Sequence, residues 1–247
     1  MKFFTVLLFL SITLFGNTQI LSTNTIKEQI IVDNNFDDEF NDEEISIVQY
    51  DPLEGYNRTM TTFNDYLFLN ILNPVATGYS HVLGKNIRKG ISNIFNNAFF
   101  PVRLVNNILQ LKFNNAFEET SRFVINTTLG IFGIFDPALN KFKLVAHKED
   151  FGQTLGFYNI EAGPHIVLPI MGPSNLRDTI SIIPDMLLNP TSTPQVAKTT
   201  SVLLFSLYQT NRTSLHLGEY ESIKKDAIDL YPFIRDLYEQ KRTNEIK

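Results

Sequence analysis

The groups with chemistry to offer in this 247-residue chain are charged side chains set inside apolar helical runs. Glu54 and Arg58 are four residues apart with the acid first, so they can pair along one flank of a helix. Arg103, Arg122 and the neighbours Arg177 and Asp178 also fall within or beside hydrophobic runs. Two readings fit them. They are paired, solvated flanks, or they are the polar lining of a path along which a zwitterionic or anionic headgroup moves beside apolar surface. Catalytic patterns are largely missing. Gly90-Ile91-Ser92 lacks the closing glycine of a nucleophile elbow, and there is no phosphate-binding glycine loop, dinucleotide fingerprint or His-Glu-x-x-His helix. The histidines, His81, His147, His165 and His216, are too far apart to form a helical metal pair. His147 stands just before Glu149 and Asp150 and can be read as a general base; an exposed polar turn accounts for the same residues. With no cysteine, disulfides and thiolate metal sites are excluded, and no cofactor is expected. A net charge of −5 argues against general binding of nucleic acid.

The elements that must position these groups read as helices. Asp51 and Pro52 open one at about residue 52, and Leu53, Tyr56, Met60, Phe63, Leu67 and Ile71 then recur at spacings of three and four. Asn73-Pro74 restarts a short helix that ends at Gly84. Further helices are predicted over 86–97, from Pro101 to about Leu111, from Asn114 or Asn115 to Thr128, over 173–188 with a break at Pro184, over 196–209 and over 217–241. The stretch Gly130 to Pro137 is apolar, glycine-punctuated and without helical period. The stretch Phe151 to Met171 reads as a long loop or a small β-hairpin. The chain holds 21 Phe and no Trp; Phe95, Phe99, Phe100 and Phe113 suit a core and acyl chains equally well.

The first 17 residues read as an export signal: Lys2, then an apolar run to Phe15 too short to span a bilayer comfortably. Residues 18–49 form an acidic linker without a basic residue from Glu28 to Glu44, expected to be disordered. A helical domain over 50–242 and a tail over 243–247 complete the organisation. The fold class expected is mainly α: a compact, ring-like bundle of short amphipathic helices with one irregular loop or small β-hairpin.

Four blocks, in order, resemble the MlaA (VacJ) family of outer-membrane lipoproteins. They are Asp51-Pro52-Leu53-Glu54-Gly55-Tyr56-Asn57-Arg58-Thr59-Met60; Arg122 through Gly130; Phe151-Gly152-Gln153-Thr154-Leu155-Gly156-Phe157-Tyr158; and Gly163-Pro164-His165 through Leu168-Pro169 to Leu176-Arg177-Asp178. Tyr231-Pro232-Phe233-Ile234-Arg235 is a weaker echo. The resemblance implies a ring of helices at the periplasmic face of the outer membrane, removing phospholipid from the outer leaflet through an amphipathic channel and so keeping the membrane asymmetric. It implies an outer-membrane porin trimer and a soluble periplasmic lipid carrier as partners. Carried onto this sequence, it makes Glu54, Asn57 and Arg58 candidates for the channel's polar side, and Gly152, Gly156, Gly163 and Pro164 candidate hinges of a mobile hairpin. One departure is plain: Asn17 stands where the family has its lipidated cysteine, following Leu14-Phe15-Gly16. A periplasmic phospholipid hydrolase and a porin-binding adaptor without transport are the alternatives.

Overall fold

The computed structural model describes residues 51–246; the expected signal peptide, acidic linker and Asn17 lie outside the described residues. The chain runs through α1 (Glu54–Leu67), a π-helical turn (Phe68–Leu72), α2 (Asn73–Val82), α3 (Lys85–Ala98), α4 (Phe100–Leu109) and α5 (Phe113–Thr128). It continues with α6 (Pro137–Asn140), α7 (Phe151–Phe157), β1 (His165–Leu168), β2 (Gly172–Asn175) and α8 (Leu176–Leu188). The last three elements are α9 (Lys198–Leu215), α10 (Glu219–Asp226) and α11 (Leu230–Glu245). The strands form one antiparallel hairpin with His165 opposite Asn175 and Leu168 opposite Gly172.

Contacts between elements close into a ring. The hairpin packs on α1 and α8, α8 on α4, α4 on α3, α3 on α9, and α9 on α2; the π-helical turn joins α2 back to α1. The expected ring of short helices is therefore the observed architecture.

Its interior is unusual. Among the described residues, the buried hydrophobic side chains are Ala76, Phe95, Ala116, Ala138, Val167 and Tyr231, whereas buried polar and charged residues are about three times as numerous. The fully buried large side chains are Glu119, Asn57, Asn106, Asn107, Asn175 and Asn211. The apolar stripe of α1 and the π-helical turn faces outward: Tyr56, Phe63 and Ile71 are exposed, while Asn57 and Thr61 are buried. The same inversion holds in α5, where Phe117 is 74% exposed and Glu119, Arg122 and Asn126 are inside. A water-soluble protein leaves single large hydrophobic residues exposed, but it does not turn whole helical stripes outward while burying carboxylates and guanidinium groups.

Several element boundaries differ from the sequence reading. Helix α1 begins at Glu54, and Asp51 instead accepts from the Leu53 N–H at 2.9 Å. Asn73-Pro74 does not restart the chain: Pro74 has no N–H to donate, and the ladder slips through the π-helical turn into α2 without a break. Pro173 lies in β2, not in a helix. The long helix expected over 217–241 is two, separated at Ala227–Asp229, where Asp229 caps α11 through the Tyr231 N–H. The stretch after Phe151 opens with helix α7, not with a loop, and the hairpin follows it.

Candidate functional site

The buried polar groups form connected networks. At the start of α8, Asp178 accepts from Arg177 Nε (3.0 Å), Arg242 Nε (2.8 Å) and the Tyr238 hydroxyl (2.8 Å). Arg242 also grips both oxygens of Asp150, at 2.8 and 2.9 Å. Burial pushes the Asp178 carboxyl up, but the arginine and tyrosine hydrogen bonds outweigh it and hold the group below the usual carboxylate range. Asp150 and Asn175 serve a second purpose as caps, accepting from the Gln153 and Asp178 N–H groups. Next along the ring, Asp185 accepts from the Phe151 N–H and from Asn106 Nδ2. Burial raises its pKa to about 6 against the Phe151 hydrogen bond, with the charge of Asp150 adding to the rise.

Between α3, α4, α5 and residues 136–148 lies a cleft of about 360 Å³. Its polar wall holds Arg103, Arg122, Asp136 and Asn126; Phe123, Leu139 and Val145 supply an apolar wall; Lys148 stands at an exposed edge. Arg103 Nε donates to Glu119 at 2.6 Å, and its Nη1 to the Asn96 carbonyl at 2.7 Å. Glu119 is fully buried and also accepts from the His147 N–H at 2.6 Å. Arg122 Nη2 donates to Asp136 at 3.0 Å and its Nη1 to the Leu144 carbonyl, whereas its Nε is buried without a partner. Burial opposes ionisation of Asp136, but the Leu139 N–H, Asn126 and Arg122 overcome it and hold the carboxyl low. The cleft thus keeps charged groups in fixed geometry next to an apolar wall.

The residues singled out from the sequence are dispersed around the ring. Asn57 is fully buried and clasps the hairpin: its Nδ2 donates to the His165 carbonyl (3.0 Å) and Tyr231 hydroxyl (3.1 Å), and its Oδ1 accepts from the Val167 N–H (2.8 Å). Glu54 and Arg58 form the expected i,i+4 pair at 2.7 Å, but on an exposed flank where Arg58 also reaches Asp229. Such exposed pairs contribute about 0–1 kcal/mol. Gly152 and Gly156 lie inside α7, where they permit close packing: a Cβ on Gly152 would fall 2.4 Å from Asp178 Oδ1. Of the four expected hinge positions, Gly163 has the left-handed backbone, with φ of +68°, and it borders a small cleft of about 100 Å³ with Pro164, His165 and Glu239. The phenylalanines divide. Phe95 is buried against Phe99 and Tyr208, Phe100 stacks on Phe123 at 4.4 Å, and Phe113 is 61% exposed.

A hydrolase would need a hydroxyl or carboxylate nucleophile beside a histidine. His147 Nε2 bonds Glu118 at 2.8 Å and His165 Nδ1 bonds Glu239 at 2.8 Å. Among the described residues no serine or threonine hydroxyl is hydrogen-bonded to either ring. The His147–Glu149–Asp150 grouping also separates, because Glu149 pairs with Lys112 and Asp150 with Arg242.

A mainly helical ring, closed by one hairpin, with charged networks inside and apolar stripes outside defines a class of proteins built for the boundary between lipid and water. The MlaA lipoprotein family model matches residues 49–245, and the chain belongs to that family. A protein of Rickettsia bellii is 34% identical over 200 residues, covering 80% of this chain and 77% of that one. The intermembrane phospholipid transport system lipoprotein MlaA of Haemophilus influenzae is 36% identical over 137 residues, and that of Escherichia coli K12 is 38% identical over 131. These two matches span 55% and 52% of either partner, so the chain aligns with about half the length of those relatives. A solved structure, from work on the structural basis for maintenance of bacterial outer membrane lipid asymmetry, superposes with a TM-score of 0.71 at 31% identity. That match covers 81% of this chain and all of the other.

Proposed function

We propose that this protein moves phospholipid out of the outer leaflet of an outer membrane, through an amphipathic passage, and so maintains lipid asymmetry. The observation that carries the reading is the inverted distribution of polarity: an interior of fixed charges and amides, and an exterior of helical apolar stripes. No helix among the described residues is long and apolar enough to cross a membrane. A ring of short helices seated in one leaflet satisfies the outer stripes with acyl chains, while the inner polar groups replace the water a headgroup loses. An unpaired polar group in hydrocarbon costs several kcal/mol, and a prearranged polar wall removes much of that barrier. The chain shows no nucleotide-binding motif, so movement would be downhill, drawn by a soluble periplasmic carrier that accepts the lipid. A porin trimer would hold the ring at the periplasmic face through the apolar stripes. The family resemblance supports both partners and the outer-membrane location.

The test is depletion of the protein in its own cells, with outer-leaflet phospholipid read by an impermeant label. A rise that the full-length protein reverses is the expected result. Unchanged surface phospholipid on depletion refutes the proposal, and capture of porin without any effect on surface lipid favours the adaptor instead.

A further inference from the structure

We infer that the cleft between α3, α4 and α5 holds the phosphodiester of a phospholipid headgroup, with Arg122 and Lys148 as its donors. The inference rests on the transport reading and gives the passage a defined holding point.

The first support is an unfinished hydrogen-bond set. The Arg122 side chain is 9% exposed, and two of its three nitrogens are engaged by Asp136 and the Leu144 carbonyl. Its Nε is buried without a partner, on a side chain that lines the cleft. A buried guanidinium N–H left unbonded is costly, and an anionic oxygen is its strongest complement.

The second support is charge. The cleft is lined by Arg103, Arg122 and Lys148 against Asp136, with Glu119 paired behind Arg103. Three cations and two carboxylates leave one positive charge, which matches a monoanionic phosphodiester. The carboxylates also moderate the attraction. Arginines already bonded to Glu119 and Asp136 cannot give a phosphate their full strength, so the headgroup is held and released rather than trapped. Lys148 has no carboxylate partner in the structure and can follow a headgroup as it enters.

The third support is shape. A volume of about 360 Å³ sits at the lower end for small-molecule sites. It accommodates a headgroup but not two acyl chains. Leu139 and Val145 of the apolar wall are themselves 43% and 60% exposed, and Phe142, between them in the chain, is half-exposed. Tails can therefore lie along the outer surface while the phosphate sits inside.

The test uses the full-length protein in detergent, with dihexanoyl phosphatidylglycerol as the probe and equilibrium binding followed by phosphorus NMR. Dihexanoylglycerol and inorganic phosphate serve as comparison ligands. Saturable binding of the phospholipid is expected, weakened about threefold by Lys148→Gln and about tenfold by Arg122→Lys, which keeps the charge but removes the Nε donor. Lys148 is exposed and unpaired, so K148Q tests the site even if R122K does not fold. Equal affinity for dihexanoylglycerol overturns the proposal, as does K148Q binding like the parent. Inorganic phosphate binding as tightly, with the same Lys148 dependence, overturns the lipid source and leaves a free-anion site. In cells, a K148Q/R122K variant that is expressed and still restores surface lipid on depletion refutes the cleft but not transport. Depletion without any rise in surface lipid refutes transport itself.

Discussion

Adding one methyl group at Gly152 should disable the central charge network. Gly152 sits in the first turn of α7, and an added Cβ would lie 2.4 Å from Asp178 Oδ1 and 2.6 Å from Arg242 Nη2. Relieving those overlaps requires the carboxylate or the guanidinium to retreat by about 1 Å, since ordinary contacts begin near 3.4 Å. Neither group is free to do so. Asp178 Oδ1 holds Arg177 at 3.0 Å, and Arg242 Nη2 holds Asp150 at 2.9 Å. The Asp178 and Arg242 side chains are 6% and 9% exposed, so water cannot substitute for a lost partner. Breaking a buried pair costs about 3–5 kcal/mol. The helix preference for Ala over Gly returns about 1 kcal/mol. A net loss of about 2–4 kcal/mol lowers the melting temperature of a domain this size by roughly 5–15 °C. Circular dichroism melts of the full-length protein in one detergent measure it. Gly55→Ala is the control, because a Cβ there meets nothing within 4 Å on the exposed side of α1. It should match the parent or exceed it slightly. A G152A variant that melts with the parent, or a G55A variant that falls as far as G152A, refutes the reasoning.

Asp185→Asn should alter the pH dependence of stability in a defined direction. The folded carboxyl, at about 6, lies above its ordinary value of 3.8, so the folded state binds the extra proton and Asp185 destabilises progressively as pH rises from about 4 to 6. The advantage of D185N, at most roughly 3 kcal/mol, should be full at pH 8 and vanish near pH 4, as read from paired melts; an advantage that does not change with pH counts against it. Asn57→Ala should leave the His165 carbonyl and Val167 N–H without their side-chain partner, at about 2–4 kcal/mol. Amide exchange should quicken at residues 165–170 and not in α9. Phe132→Ser should leave the melt in detergent nearly unchanged, because Phe132 is 76% exposed, yet weaken partition to lipid vesicles about tenfold or more. Equal partition of both proteins would show that this turn does not meet lipid.

The helices of this ring were legible because a period of 3.6 survives any choice of solvent. Which side of each helix faces inward was not. The apolar residues from Leu53 to Ile71 were readable as one face of a helix, yet it is the polar stripe of Asn57, Thr61 and Asn64 that packs on the hairpin. Periodicity fixes the angle between the two stripes, and only the surrounding medium decides which of them is turned out. Helix α7 escaped notice because Gly152 and Gly156 weaken its propensity and Pro164 follows closely. The signal was present all the same: Asp150 stands three residues before Gln153, the spacing of a helix cap, and its carboxylate accepts from both the Gln153 N–H and Nε2. Strand β2, Gly172-Pro173-Ser174-Asn175, has almost no strand propensity and exists because β1 and α8 hold it. The cleft was partly visible, since Arg103 and Arg122 stand out in apolar helices. Asp136 and Lys148 join them only through a loop whose path depends on tertiary contacts. The pairing of Glu54 with Arg58 was readable from spacing alone, but spacing carries no information about whether a pair lines a passage or an outer wall.

Turning the polar stripes inward also changes what holds the ring together. A core of six buried hydrophobic residues cannot hold a domain of nearly two hundred residues by removing apolar area from water. Where the outer stripes meet lipid, they gain nothing from burial against one another, and specificity passes to directional bonds. Asp178 takes three donors, Arg242 four acceptor contacts, and Asn57 joins three elements through one amide. Such groups are costly when half-satisfied, so each network either forms whole or resists forming, and the ring is rigid where they close. The unpaired Arg122 Nε is an exception, in a cleft that is otherwise fully bonded on its carboxylate side. Rigidity elsewhere explains why no neighbouring acceptor has closed on that one nitrogen, which a more pliable wall would bond to the protein.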